Sequence, residues 1–169
     1  MEDRSDVRIS TTAEVKHLIR IGDHVSIDMC VYSSVLLSIG SWVHIAPHVS
    51  IIGGDESSLK IGDFAGISTG ARIVCGSEDF VNSLLGFMPD EFKTVIYGKN
   101  RIENFAWVGA GAIVLPNIII AEGSVIGAGA VVTKDTEPWM VYVGNPAVIL
   151  KRRNKRKIMD DYKRMQNEY

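Results

Sequence analysis

Residues 102–132 read IENFAWVGAGAIVLPNIIIAEGSVIGAGAVV, and an aliphatic residue returns at every sixth place: Ile102, Val108, Val114, Ile120, Ile126 and Val132. The same step runs through Ile21, Ile27, Ser33, Ile39, Ile45 and Ile51 and, in another register, through Ile61, Ile67 and Ile73. Fourteen of these fifteen positions are Ile or Val, which make up 38 of the 169 residues, whereas chance would fill about three of them. A period of six is neither a helix face, which returns every three or four residues, nor one strand, which alternates every two. It describes short strands joined by tight corners, with three hexads to a triangular coil. Small or acidic residues such as Gly22, Asp28, Gly40, Gly62, Gly109 and Gly127 follow the aliphatic one and relieve the turns. Such coils stack by backbone pairing into an all-β solenoid of parallel strands.

Outward from these hexads the rhythm breaks twice. A Gly/Asp/Ser bulge spans Gly53 to Ser58, and from Asp79 to Arg101 the period vanishes, so that Ile102 lies 29 positions after Ile73, not a multiple of six. An excursion of that length inside a regular coil is usually functional; a contact loop without chemistry is the alternative. Residues 1–20 are a lead-in, in which Ala13 to Arg20 forms a short helix or an extended segment. Residues 21–150 form the coil domain, with the large loop at 79–101, and Pro138 and Trp139 close the stack. Residues 151–169 read as a basic C-terminal helix that docks through Ile158, Tyr162 and Met165.

A chain that is 46% hydrophobic and 22% charged, with a net charge of -2, suits one soluble domain able to bury roughly 70% of its unfolded surface. Cys30 and Cys75 are too few for a disulfide framework and lack metal-ligand spacing, which fits a reducing cytoplasm. No apolar run reaches the ~18 residues of a membrane span, and Met1 to Ser10 alternates charge where a signal peptide would be apolar. Charge is uneven: Lys151 to Tyr169 carries eight Lys/Arg against three Asp/Glu, on an acidic body. A solvated helix, a membrane-surface contact, a nucleic-acid contact and a dock for a phosphorylated ligand all fit such a tail; nucleic acid is disfavoured because no nucleic-acid motif accompanies it.

The hexads, with Ile126-Gly127-Ala128-Gly129-Ala130-Val131-Val132-Thr133-Lys134-Asp135 and Gly144-Asn145-Pro146-Ala147, give residues 20–150 a resemblance to the hexapeptide-repeat acyltransferases. Within them the chain resembles the galactoside and maltose O-acetyltransferase type and its relatives in surface-polysaccharide gene clusters. The resemblance implies a left-handed parallel β-helix, a handedness that the period alone does not set. It also implies acetyl-CoA as donor, a sugar or nucleotide-sugar acceptor, no metal, and a homotrimer with active sites between subunits. Carried over motif by motif, coenzyme A contact falls on Ala110, Ala128, Thr133 and Lys134, and phosphate contact on Lys151, while Val148 stands where another arginine is usual. Taken alone, Ala110 and Ala128 read equally well as coil packing.

Acyl transfer from a thioester needs a polarised carbonyl and an acceptor able to lose a proton. In the sugar O-acetyltransferases a histidine after the coil preceding the large loop deprotonates the acceptor hydroxyl. Here that place holds Glu78, in Cys75-Gly76-Ser77-Glu78-Asp79-Phe80. Glu78 and Asp79 are the candidate catalytic carboxylates: a pair of acids attracts a cationic amine, and adjacent like charges raise the pKa of one member, making it a better base. Solvating a turn is the plainer alternative. A neutral amine attacks a thioester without a strong base, whereas a hydroxyl needs a histidine or a raised carboxylate. His44, or His48 after it, supplied by a neighbouring subunit, is the candidate base; an exposed coil position is the alternative. Tyr97, Lys99, Asn100 and Arg101, with Phe80, Phe87 and Phe92, offer stacking and hydrogen bonds to a sugar or nucleotide, or else anchor the loop. The expected function is an acetyl-CoA-dependent sugar O- or N-acetyltransferase of surface-polysaccharide synthesis. A catalytically silent β-helix scaffold is the alternative, which the late-coil motifs disfavour. Zinc-binding relatives of the fold carry three placed histidines and lack the Gly-Asn-Pro-Ala motif.

Overall fold

A computed structural model describes residues 6–84 and 89–168, and Phe87 lies outside them. The hexads form seven coils with three faces. On the first face Ile9, Ile27, Ile45, Ile67, Val108, Ile126 and Tyr142 lie in parallel register, each on the one below. On the second, Val15, Ser33, Ile51, Ile73, Val114 and Val132 do the same. On the third the column is Ile21, Ile39, Ile61, Ile102 and Ile120. Ile39, Ile67 and Ile126, one from each sequence register, are at most 1% exposed, and each such side chain contributes roughly 1.5–3 kcal/mol by leaving water.

The coil starts before Ile21. Arg8–Ile9 pairs with Ser26–Ile27, and Glu14–Ile21 is an extended strand along Tyr32–Ile39. Both interruptions emerge at the corner between the second and third faces, after Ile52 and after Val74. An insertion there lengthens a turn and leaves every column in register, because the chain returns to Ser58–Ile61 and to Lys99–Ile102, which pair with each other. The top also extends further than Pro138 and Trp139: Met140–Val143 continues the first face, and Val148–Arg152 folds back antiparallel onto it. Lys151 is therefore a strand residue, and the helix runs over Lys155–Glu168. Asn154 opens it by accepting the Lys157 amide on Oδ1 at 3.2 Å, an N-cap.

The third-to-first corner explains where that helix goes. His24, Trp42, Phe64, Phe105 and Trp139 each follow a third-face strand or its equivalent and adopt φ of 54–61°. Backbone bonds from Trp42 to Asp23, Phe64 to Ser41 and Phe105 to Asp63, each 2.9 Å, tie successive corners together. The rings consequently stack, His24 on Trp42 at 3.8 Å and Phe64 on Phe105 at 5.2 Å between centroids. Tyr162 of the helix meets both phenylalanines edge-on, at 5.0 and 5.2 Å. Arg153 locks the approach by donating to the carbonyls of Phe105 and Gly123 at 2.5 and 2.9 Å. Trp139 thus packs at this corner, while the Trp107 ring lies on the first face where a Cβ on Gly66 would be. Among the described residues no helix is long and apolar enough to cross a membrane.

Ser33 breaks the aliphatic column, and its hydroxyl is fully buried with no hydrogen-bond partner. Stranding that group costs about 1 kcal/mol or more. Ser33→Ala is expected to stabilise the chain by about 1 kcal/mol, seen as a rise of roughly 2–4 °C in the calorimetric Tm.

Candidate active site

The large loop leaves and re-enters the solenoid at one point. Gly76–Glu78 pairs antiparallel with Val95–Tyr97, Glu78 opposite Val95, and the Gly98 amide returns to the Cys75 carbonyl at 2.7 Å. A Cβ on Gly98 would strike that carbonyl, so the re-entry needs glycine. Beneath it Asn100, 2% exposed, donates to the Leu115 carbonyl at 2.9 Å and accepts the Asn117 amide at 2.8 Å. Asn100 therefore fastens the loop's foot to the next coil and is not available to a sugar. Arg101 is paired with Glu103 at 3.3 Å.

Within this loop the two candidate carboxylates differ. Asp79 accepts from the Val81 and Asn82 amides, both at 3.1 Å, and from the Asn82 side-chain amide at 3.0 and 3.2 Å. The Asn82 side chain first, then the Val81 amide, holds the Asp79 carboxyl below its ordinary value, against the opposing effect of burial. Asp79 is thus not the raised member of an acid pair, because amide donors in its turn favour the charged form. Glu78, half-buried, lines a cleft of about 330 Å³ together with Ser77, Asp79 and the apolar Val74, Phe80, Val81, Ile96, Leu115 and Pro116. Cys75 behind it is buried, and burial pushes its thiol up to about 12.

His44 lies elsewhere, on the first face between Ser26 and Gly66. Its Nε2 is 2.8 Å from Asp28 Oδ2, and the Ser26 hydroxyl donates to Asp28 Oδ1 at 3.1 Å. The His44 hydrogen bond, aided by that from Ser26, holds the Asp28 carboxyl below its ordinary value against desolvation. Within one chain this oriented acid–imidazole pair and Glu78 occupy different sides of the prism. Any meeting of the two requires another copy.

The corner between the first and second faces carries a feature the hexad pattern did not single out. Cys30, His48, Gly70, Gly111 and Gly129 stand in one column with φ of 57–68°. Backbone bonds link it, Gly70 to Pro47 at 3.1 Å, Gly111 to Thr69 at 3.0 Å and Gly129 to Ala110 at 2.9 Å. A Cβ at Gly70, Gly111 or Gly129 would meet nothing within 4 Å. Eight non-glycine residues take the same φ among the described residues, so neither backbone conformation nor crowding inside the chain demands glycine at these three. Their effect is to bare the backbone along the upper coils. Ala110 and Ala128 are exposed on this edge, Thr133 and Lys134 are exposed at the far edge of the second face, and Lys151 is exposed opposite Val141 on the first. The five carried-over residues therefore do not form one patch on a single chain.

The hexads of residues 101–134 match the family described as bacterial transferase hexapeptide (six repeats). The dTDP-4-amino-4,6-dideoxy-D-glucose acyltransferase of Escherichia coli is 36% identical over 143 residues, 82% of this chain and 73% of that enzyme. AntD, an N-acyltransferase from Bacillus cereus solved in complex with dTDP and coenzyme A, has a TM-score of 0.89 at 32% identity, over 97% of this chain and 90% of AntD. Variants of AntD have been solved with dTDP-4-amino-4,6-dideoxyglucose and coenzyme A. A chloramphenicol acetyltransferase from Agrobacterium fabrum is 37% identical over 108 residues, and the chain spans about half of it, 52%.

Because the folded-state carboxyl of Asp79 lies below its unfolded value, the turn it stabilises is intact above a pH of about 3.9 and weakens as pH falls through the folded pKa. An NMR titration of the Val81 and Asn82 amides should give a midpoint below about 3.9, and Asp79→Ala should abolish it.

Proposed function

Since this chain belongs to the hexapeptide-repeat acyltransferases, we propose that it moves the acyl group of a coenzyme A thioester onto the amino group of a nucleotide-linked amino sugar, of the dTDP-4-amino-4,6-dideoxyhexose class. The observation that carries this reading is the correspondence with AntD over 97% of the chain, which takes in the inserted loop as well as the coils. The absence of a histidine from residues 79–101 points the same way, because a neutral amine needs less help than a hydroxyl.

In the transfer the amine nitrogen attacks the thioester carbonyl, a C–N bond forms, the C–S bond breaks, and the departing thiolate takes up the proton that the nitrogen loses. Glu78, in the lining of the loop cleft, is assigned the relay of that proton. Cys75, buried and with its thiol pushed up to about 12, is unsuited to a covalent acyl intermediate.

The coenzyme fits the bare corner at Gly70, Gly111 and Gly129, with Ala110 and Ala128 beside its arm. Thr133 and Lys134 lie five and six residues along from Ala128, beyond the turn at Gly129 and the strand Val131–Val132, at the other edge of the second face. An arm running along the stack therefore touches both groups only where the first corner of one copy meets the second corner of another. A ring closed this way, with second faces inward, is the homotrimer, and it brings the loop of one copy to the bare corner of the next. Nucleotide sugars acylated here would serve surface-polysaccharide synthesis in the cytoplasm, where both substrates are made. A hydroxyl acceptor is the second reading, favoured by the oriented Asp28–His44 pair, which a neighbouring copy could present as base.

Incubation with acetyl-CoA and dTDP-4-amino-4,6-dideoxyglucose should release free thiol and yield a sugar one acetyl group heavier by mass spectrometry; no product from amino sugars alongside product from hydroxyl acceptors would reverse the order of the two readings. Glu78→Gln should lower kcat on the order of a hundredfold with coenzyme affinity little changed. Gly111→Leu should fold, at a cost of about 1 kcal/mol in left-handed strain, yet bind coenzyme A on the order of tenfold more weakly by calorimetry, a loss of ~1.4 kcal/mol.

A further inference from the structure

We propose that the C-terminal end of the solenoid docks on an anionic lipid bilayer, through the strand Val148–Arg152 and the first turn of the helix. The proposal stands independently of the acyl-transfer reading. Val148–Arg152 is the last strand of the first face and is paired on one side only, with Met140–Val143. A strand that ends a stack can cover the core by turning its aliphatic side chains onto it. Here all five residues are exposed, and Val148, Ile149 and Leu150 stand at 60%, 45% and 59%. None of the three belongs to the core, whose last member along the chain is Tyr142, with Met140 and Ala147 packed against it. Packing within the chain therefore does not account for three consecutive aliphatics in water, and contiguous apolar surface of this kind marks an interaction site.

The surroundings of these aliphatics are basic. From Pro138 to Met159 the sequence holds six Lys/Arg and no Asp or Glu. Arg153 is spent on the Phe105 and Gly123 carbonyls, and Lys155 lies 5.0 Å over the Trp139 ring and 3.9 Å from Glu122. Lys151, Arg152, Arg156 and Lys157 are exposed, and Arg156 has a 4.0 Å contact with Asp160. The tail from Lys151 onward carries a net +5, which leaves -7 for residues 1–150 in a chain of -2. A negatively charged surface thus attracts this end and repels the rest, which orients the molecule.

A second copy fits this end poorly, because a twofold contact through the strand would set the same cations against each other. Coenzyme phosphates would engage the cations but leave Val148, Ile149 and Leu150 in water. A bilayer with anionic headgroups satisfies both halves: its phosphates pair with the Lys/Arg side chains, and the aliphatics enter the boundary between headgroups and acyl chains. Basic charge and apolar burial together are the two signals that surface binding requires.

Co-sedimentation of the full chain with phosphatidylcholine vesicles, and with vesicles in which about a third of the lipid is phosphatidylglycerol, tests this. The chain should sediment with the anionic vesicles only, and less so as salt is raised. Each basic side chain near such a surface contributes about fivefold, so Arg152→Gln combined with Lys157→Gln should weaken binding about twenty-five-fold. Leu150→Ser, at a position that is exposed without lipid, should weaken it roughly fivefold. Absence of binding, equal binding to both vesicles, or a Leu150→Ser variant that binds as tightly as the natural chain would overturn the proposal. Release from the vesicles by saturating coenzyme A would also overturn it, and would assign the cations to the coenzyme phosphates. None of these results bears on acyl transfer itself.

Discussion

Each coil must set an aliphatic side chain on that of the coil beneath while its backbone pairs with the same neighbour. Both conditions are met at once only if the coils keep their register, so length changes cannot be absorbed within a face. The bulge after Ile52 and the loop after Val74 both emerge at one corner for that reason, and Ile61 still lies under Ile102 although 41 residues separate them. Ser33 shows how strict the condition is, since a side chain that breaks the column is held at 0% exposure all the same.

With the faces committed to the core, differences between the corners are left to carry function. One corner is bare through Gly70, Gly111 and Gly129. The second bears the loop, with Glu78 and the apolar cleft. The third is a ladder of aromatic rings that the C-terminal helix covers through Tyr162. The helix is basic in composition, but its placement is decided by aromatic packing and by Arg153, whose guanidinium is spent on two backbone carbonyls. A transferase assembled from such prisms can place coenzyme and acceptor between two different edges without altering the columns that hold each copy together.

The electrostatics of the loop followed hydrogen bonding more than proximity of charge. Glu78 and Asp79 are neighbours in sequence and both line the cleft, but the strand pairing of Gly76–Glu78 ends there and Asp79 begins a turn, where its carboxylate is taken up by amides. His44 was legible as a candidate, but its partner Asp28, 16 residues earlier on the coil below, becomes visible only when the register is known. The ladder was present in the sequence as a ring-bearing residue three places after four of the five third-face aliphatics, His24, Trp42, Phe64 and Phe105, with Gly123 after Ile120; aliphatic periodicity overlooks it because the residues differ in type.

The sequence by itself determined the parallel coil, its core columns and the sites of both interruptions, because a six-residue period and glycine-marked turns are local properties; coenzyme chemistry came only through the family resemblance that the late-coil and Gly-Asn-Pro-Ala motifs carry. Tertiary structure decided which side chains share an edge. Six-residue spacing assigns a residue to a face but not the turn amides, neighbouring rings or open space it will find there, and those are set by the coils above and below. Hence the division of labour between Glu78 and Asp79, the docking of the tail and the bare corner could be read only once the coils were stacked.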